Sequence, residues 1–322
     1  MSMNEKGDLP YVSVSISEYD PSEIDRLKNC IKSILEQDYS QFEVILISES
    51  EEVSEEIRNN YSEDSNVSVV DLENEEGGLS AARNTAIQYA SGDVIAYIDS
   101  DARAKDGWLK NIGETYRDKN VLAVGGHSTP NWKSKRPAYL PDEFLWMVGS
   151  TYKGHPEHGS IMRNGIGCNM TFNRTVLEQI KFSENLGKNH GYNLQGEEPE
   201  LGVKMQEQFN TGVYYNSDAD ISHDVDKVQT RVKWLSKRAY LQGVSKSIIE
   251  HKSESSSLNT DKSFLNMIIK DSIPDYAKET FLGLNKTKFF HLVGTLYFTF
   301  LVGMGYIIGI AKMRTGLLDV EA

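Results

Sequence analysis

Two aspartates one residue apart, Asp99 and Asp101, close the apolar run Asp93-Val94-Ile95-Ala96-Tyr97-Ile98. In an extended chain, alternate residues point to the same side. A loop opening at the end of that run can aim both carboxylates at one small region. Paired carboxylates of this kind suit a hard divalent cation that keeps waters and holds substrate phosphates. A solvated acidic turn has the same composition. The rest of the chain must decide between the two.

Three further groups of residues bear on that decision. Gly78-Leu79-Ser80-Ala81-Ala82-Arg83-Asn84 opens a helix after glycines. A helix N-terminus favours anions through its free N–H groups and its dipole. Arg83 adds a fixed cation, although a structural salt bridge would use the same residue. The helix leads directly into the strand that ends at Asp99. Gly196-Glu197-Glu198-Pro199-Glu200-Leu201 places three acids at a helix start, with Pro199 at an early helical position. A carboxylate within reach of an attacking hydroxyl can take its proton; first-turn acids also simply complement the dipole. His223, in Ile221-Ser222-His223-Asp224-Val225, follows a short strand. Neutral imidazole is a common metal ligand. Arg231, Arg238 and Tyr240 recur at helical spacing, offering cations to a diphosphate or an anionic lipid head group, or a solvated basic face.

The elements that must position these residues alternate between strand and helix. Strands are predicted over 11–17, 42–48, 67–70, 93–98, 123–126 and 169–172. Helices are predicted over 24–35, 51–61 and 80–90, from 175, from 200, and over 228–249. Residues 130–158, rich in Trp, Tyr, Pro and Lys, show no period and read as a long substrate-side loop. Alternating strands and helices predict a mainly parallel sheet with helices on both faces. Ligands of such sheets bind outside the carboxyl ends of the strands, where Asp99 stands.

The 322 residues allow one large domain with an appendage. A net charge of −13 argues against a nucleic-acid surface, which needs clustered Lys and Arg. Two distant cysteines, Cys30 and Cys168, predict a reducing compartment and no disulfide framework. The polar N-terminus predicts no signal peptide. Asn66, Asn169, Asn173 and Asn285 start glycosylation triplets that carry no meaning in a cytosolic domain. Toward the C-terminus, Phe264, Leu265, Ile268 and Ile269 cluster among charges, as in a helix lying along a surface. Residues 289–311 then form a run of 23 whose only side chain that can charge near neutral pH is His291. About 20 apolar residues cross a bilayer; a buried core helix is the other reading. Gly305 and Gly309 form a small-xxx-small pair.

The Gly78–Asn84 segment followed by Gly92–Asp101 resembles the nucleotide-sugar half of a family 2 glycosyltransferase with the GT-A fold. The resemblance extends over about residues 11–245 and includes Ser33–Tyr39 before Phe42–Ile45. It implies an α/β, Rossmann-like, mixed but mainly parallel sheet with helices on both faces, followed here by a C-terminal membrane helix. It implies that the Asp-x-Asp binds Mg or Mn, which grips the donor diphosphate. Asp101 would be the direct ligand, Asp99 a ribose or metal contact, and His223 a completing ligand. Arg83 would lie near base and diphosphate, with Arg238 a further diphosphate contact. Glu198 takes the general-base position, with Glu197 its rival. Where the family has an Asp-Asp pair after the second strand, this chain has Ser48-Glu49. Glu49 would then read the base, with uridine expected.

The implied activity is inverting, metal-dependent transfer from a nucleoside-diphosphate sugar to a lipid-linked acceptor, such as a dolichyl or polyprenyl phosphate glycan. The layout is similar to transferases of archaeal surface-protein N-glycosylation, some of which move hexuronic acids. The expected organisation is a polar tail (1–10), a GT-A domain (11–250), a linker (251–262), an amphipathic interfacial segment (263–288), a single-pass transmembrane helix (289–311) and a tail (312–322). The catalytic domain would face the cytoplasm at the cell membrane. Two other classes compete. A nucleotidyltransferase needs a Gly-rich first loop, whereas Ser17-Glu18-Tyr19-Asp20 is acidic and lacks Gly. A non-catalytic membrane adaptor predicts loss of Asp99, Asp101 and Glu198, which are all present.

Overall fold

The computed structural model describes residues 8–72, 78–184, 196–252 and 259–317. The chain divides into two compact units. The first holds the opening βα repeats: β1 (Val12–Ser17), α1 (Ile24–Leu35), β2 (Phe42–Ser48), α2 (Glu51–Asn60), β3 (Val67–Asp71), α3 (Leu79–Tyr89) and β4 (Val94–Ile98). Then follow β5 (Ala102–Ala104), α4 (Trp108–Asp118), β6 (Ala123–Trp132), β7 (Ile161–Met162), β8 (Asn169–Asn173), α5 (Arg174–Leu177), α6 (Glu197–Phe209) and β9 (Val213–Val225). The strand order is β3-β2-β1-β4-β8-β6-β9-β5, with β7 beside β9.

β3, β2, β1 and β4 pair in parallel. This is the half that the sequence pattern predicts. From β8 onward the pairing turns antiparallel. The central strands are buried on both faces, and the period of two divides their side chains between two cores. Val44 and Leu46 pack with Leu27, Ile31, Val53, Ile57 and Trp108. Ile45 and Ile47 pack on the other face with Ala82, Ala86, Val176, Leu201 and Met205. Helices therefore cover both faces, as expected.

The second unit comprises 130–155 and the described residues from Asp224 onward, apart from a short piece ending at Gly196. Its helices are α7 (Val232–Lys252), α8 (Asn259–Met267), α9 (Ile273–Phe281) and α10 (Lys286–Arg314), with a π-turn at Ile268–Ser272 between α8 and α9. Residues Asp142–Val148 form a 3₁₀ helix. The reading of 130–158 as one long loop is thus corrected. Leu140, Phe144, Met147 and Val148 pack against Leu235, Ala239, Phe298 and Leu301 in a third core. Two turns are too short to register as a periodic signal. The linker placed over 251–262 lies partly outside the described residues.

Other local readings differ from the expectations. The short strand before His223 is a 13-residue strand; its polar residues Asn216, Asp218 and Asp220 mask the alternation. α6 begins at Glu197 rather than near Pro199. Proline fits there because the first turn's N–H groups have no intrahelical partner anyway. Asn169 is 1% exposed, accepts a hydrogen bond from Trp108 Nε1 at 2.9 Å and donates to the carbonyls of His127 and Ala219. That triplet is closed to glycosylation.

Candidate active site

The site lies within the first unit, at the carboxyl end of β4. Asp99 follows the last strand residue directly, and the Ala102 N–H bonds back to the Asp99 carbonyl at 2.9 Å, closing a turn around Ser100 and Asp101. Ser100 turns away from its neighbours. Its hydroxyl donates to Glu18 Oε2 at 2.6 Å, while Glu18 Oε1 accepts from the N–H groups of Tyr19 and Asp20. The loop after β1 thereby anchors the acidic loop after β4. β5 then pairs antiparallel with β9, setting Ala102 opposite His223. That register places His223 Nε2 3.2 Å from Asp101 Oδ1.

Arg83 sits in α3 and is 2% exposed. Its guanidinium lies 3.1 Å from Glu198 Oε1, 4.0 Å from Glu197 Oε1 and 3.9 Å from Asp99 Oδ1. It also donates to the Gly167 carbonyl at 3.3 Å and lies 5.2 Å from the Phe182 ring centroid. Tyr97 of β4 donates to the Arg83 carbonyl at 3.1 Å, tying strand to helix. One buried cation thus gathers the first turn of α6 and the loop after β4. Asn84, next to Arg83, clamps the backbone of Phe182 through both amide atoms and donates to Glu184.

The electrostatics separate the two aspartates. Burial pushes the Asp99 carboxyl up; Arg83 pulls it back, the Asp101 charge pushes again, and the net direction is upward. Burial also raises Asp101, but the hydrogen bond and charge of His223, with Arg26 behind, outweigh it and hold this carboxyl down. Of the two, Asp101 is the more readily ionised.

Asp99, Cys168 and His223 bring one ligand atom each within 4.8 Å of one another. Carboxylate oxygens and an imidazole nitrogen are the donors that Mg and Mn take. Burial, with the charges of Asp99 and Asp101, pushes the Cys168 thiol well up. It is a neutral neighbour rather than a soft thiolate ligand. Asp99 and His223, with Asp101 3.2 Å from the His223 ring, offer the donor types that a hard divalent cation takes.

The structure brings Arg83, Asp99, Asp101, Glu197, Glu198 and His223 into one region. Glu49, after β2, accepts from the Gly78 N–H at 2.7 Å, bracing the start of α3. Arg238 lies in the second unit, where it donates to the Met147 carbonyl at 3.2 Å and stacks over Trp234. Sequence reasoning missed Gly167. A Cβ there would stand 2.1 Å from Glu198 Oε1 and 3.2 Å from Arg83 Nη2, so only glycine leaves room for the ion pair. It also missed Glu18, Phe182 and the place of Cys168. Of these, only Gly167 ahead of a strand carries a local signal.

Comparison with known proteins agrees with this geometry. The profile of "Glycosyl transferase family 2" matches residues 22–181. The chain is 29% identical over 302 residues to the glucosyl-dolichyl phosphate glucuronosyltransferase of Haloferax volcanii, covering 93% of this chain and 96% of the relative. It is 32% identical over 122 residues to glycosyltransferase AglE of the same organism, covering 37% and 40% of the two chains. Its fold resembles the mannosyltransferase PcManGT of Pyrobaculum calidifontis, solved with GDP-Man and Mn2+. The TM-score is 0.57 at 15% identity, over 94% of this chain and 88% of that one. It also resembles S. aureus TarS 1–349 solved with UDP-GlcNAc, with TM-score 0.55 at 15% identity, over 95% and 92%. The sheet and its helices are therefore of the GT-A type, and the chain is a glycosyltransferase with a glycosyl transferase family 2 domain over residues 22–181.

Proposed function

We propose that the chain transfers a sugar, with inversion, from a nucleoside-diphosphate donor to a hydroxyl of a dolichyl- or polyprenyl-phosphate-linked glycan. One observation carries this reading: a single buried guanidinium, Arg83, joins the carboxylates at the start of α6 to the acidic loop after β4. Donor-side and acceptor-side groups thereby share one small region.

In this mechanism Glu198, 18% exposed against 9% for Glu197, takes the proton of the acceptor hydroxyl. The hydroxyl oxygen forms the new bond to the anomeric carbon. The bond to the diphosphate oxygen breaks, and its electron pair leaves with the nucleoside diphosphate. No covalent enzyme intermediate is needed. Arg83 orients Glu198 and sets positive charge beside the departing phosphates. Asp99, Asp101 and His223 would hold a divalent cation, which when bound offsets charge on the leaving group. Glu49 is assigned to the base.

The narrower substrate reading is a hexuronic acid donor, supported by the name of the Haloferax relative. Mn2+ beside GDP-Man in a structural neighbour supports a divalent cation. We place the catalytic domain (11–250) on the cytoplasmic face of the cell membrane, where nucleotide sugars are made, with attachment through residues 263–314.

The test is transfer or hydrolysis of a panel of nucleotide sugars with Mn or Mg. Glu198→Gln is expected to lower turnover by roughly 10²–10⁴-fold, the usual contribution of a positioned base. Unchanged turnover would move the base to Glu197. An Asp101→Ala protein as active as its parent would sink the cation assignment.

A further inference from the structure

We infer that α10 attaches the chain to a membrane from one side only, lying along the lipid surface with one face in the bilayer and the other locked onto α7. This rests on the membrane attachment proposed above and replaces a crossing helix with an in-plane one.

α10 is long and apolar enough to cross a bilayer, yet only 33% of its apolar stretch is buried. Its open face is a continuous stripe: Phe289, Val293, Leu296, Phe300 and Ile307, of which Phe300 is 65% and Ile307 67% exposed. Their spacing of three to seven residues keeps them on one side of the helix. Phe281, Leu282 and Leu284, between 72% and 85% exposed, extend this surface at the turn before α10.

The opposite face is built for protein. A Cβ on Gly294 would stand 2.0 Å from the Tyr139 carbonyl, and one on Gly305 2.0 Å from the Tyr240 carbonyl. From α7, a Cβ on Gly243 would stand 2.0 Å from the Val302 carbonyl. Backbones touch at these places. Tyr297 shares a hydrogen bond with Ser236, and Tyr306 donates to Glu250. Protein thus flanks α10 from Gly294 to Gly309, roughly 22 Å of helix.

A crossing α10 would carry that flank with it. Lys237, Arg238, Lys246 and Glu250 of α7 would enter the hydrocarbon, where charged side chains are costly. Laid in the plane, α10 keeps α7 in water.

The charges fit a lipid surface. The chain carries −13, yet residues 259–317 hold seven Lys or Arg against four Asp or Glu. In α10 the cations sit at both ends, Lys286 and Lys288 against Lys312 and Arg314, with no acid between. An in-plane helix sets both pairs at one head-group level, complementary to anionic lipid.

The test uses the full chain. Purified protein should float with vesicles and should bind better when they contain phosphatidylglycerol. Changing Lys286, Lys288, Lys312 and Arg314 to Gln together should weaken that binding by about tenfold or more. Thr287→Cys, exposed and off the apolar stripe, and Leu317→Cys give thiols at exposed sites, while native Cys30 and Cys168 are buried. In membranes of expressing cells, an impermeant maleimide should reach both new thiols from the cytoplasmic face and neither from the other. Labelling of the two from opposite faces would overturn the inference in favour of a crossing helix. Failure to float, with a dimer by light scattering, would overturn it in favour of a second copy of the chain. Neither readout depends on sugar transfer, so failure here is distinct from failure of the proposed activity.

Discussion

Replacing Arg83 with Met removes a buried cation from beside three carboxylates, of which Glu197 and Glu198 are 9% and 18% exposed and Asp99 37%. At 3.1–4.0 Å and an effective dielectric near 20, each pair carries a gross attraction of about 4–5 kcal/mol. Desolvation of the guanidinium opposes most of that sum. The net effect of removal is set by what stays behind, namely the largely buried Glu197 and Glu198 without their partner, which costs about 3–5 kcal/mol. Amide hydrogen exchange isolates the effect, because peptides covering 79–89 and 197–209 report local opening of α3 and α6. Arg83→Met should lower their protection by roughly 10²–10³-fold, with α10 peptides unchanged. Adding Glu198→Gln should recover part of the loss, with a coupling of about 1–3 kcal/mol. Protection unchanged in Arg83→Met would refute the view that this guanidinium holds the two halves of the site together.

Burial raises the Glu143 carboxyl, but hydrogen bonds from Ser272, Lys153, its own backbone and Tyr276 outweigh it and leave it below its ordinary value. The folded state therefore prefers the ionised form. Its stabilisation is full above the unfolded-state value and is lost as pH falls through the lower folded value. Thermal melts from pH 6 down to 3 should show this decline, and Glu143→Gln should flatten it. Gly305→Ala should destabilise by about 1–3 kcal/mol because its Cβ meets the Tyr240 backbone. Gly303→Ala, with open space around it, should stabilise by about 0.5–1 kcal/mol; unfolding midpoints in detergent compare the two. Mn should raise the midpoint of the parent, and Asp101→Asn should lose that rise; an equal rise in both would place the cation elsewhere.

Much of this was legible in the chain. Local chemistry decides where apolar runs alternate with helical periodicity, so β1 to β4 and their helices follow from 11–98. Asp99, Asp101, Arg83 and the Glu197-Glu198 pair each carry a local motif. Other features had no local signal. Residues 142–148 are too few to show a period, and β9 hides its alternation under polar residues that bond other elements, as Asn216 does with Thr115. Glu18 looked like part of an acidic turn, yet it anchors the loop that carries both aspartates.

The sequence by itself determined the order of elements, the carboxyl-end position of the acidic pair and the apolar length of 289–311, because each depends on residues close in the chain. Only the tertiary structure decided that Gly167 must lack a side chain, that Cys168 borders the acids, and that Arg83 meets carboxylates more than a hundred residues away. It alone shows that one flank of α10 is occupied by α7. Those facts depend on strand register and helix packing, which bring together groups that no sequence window contains.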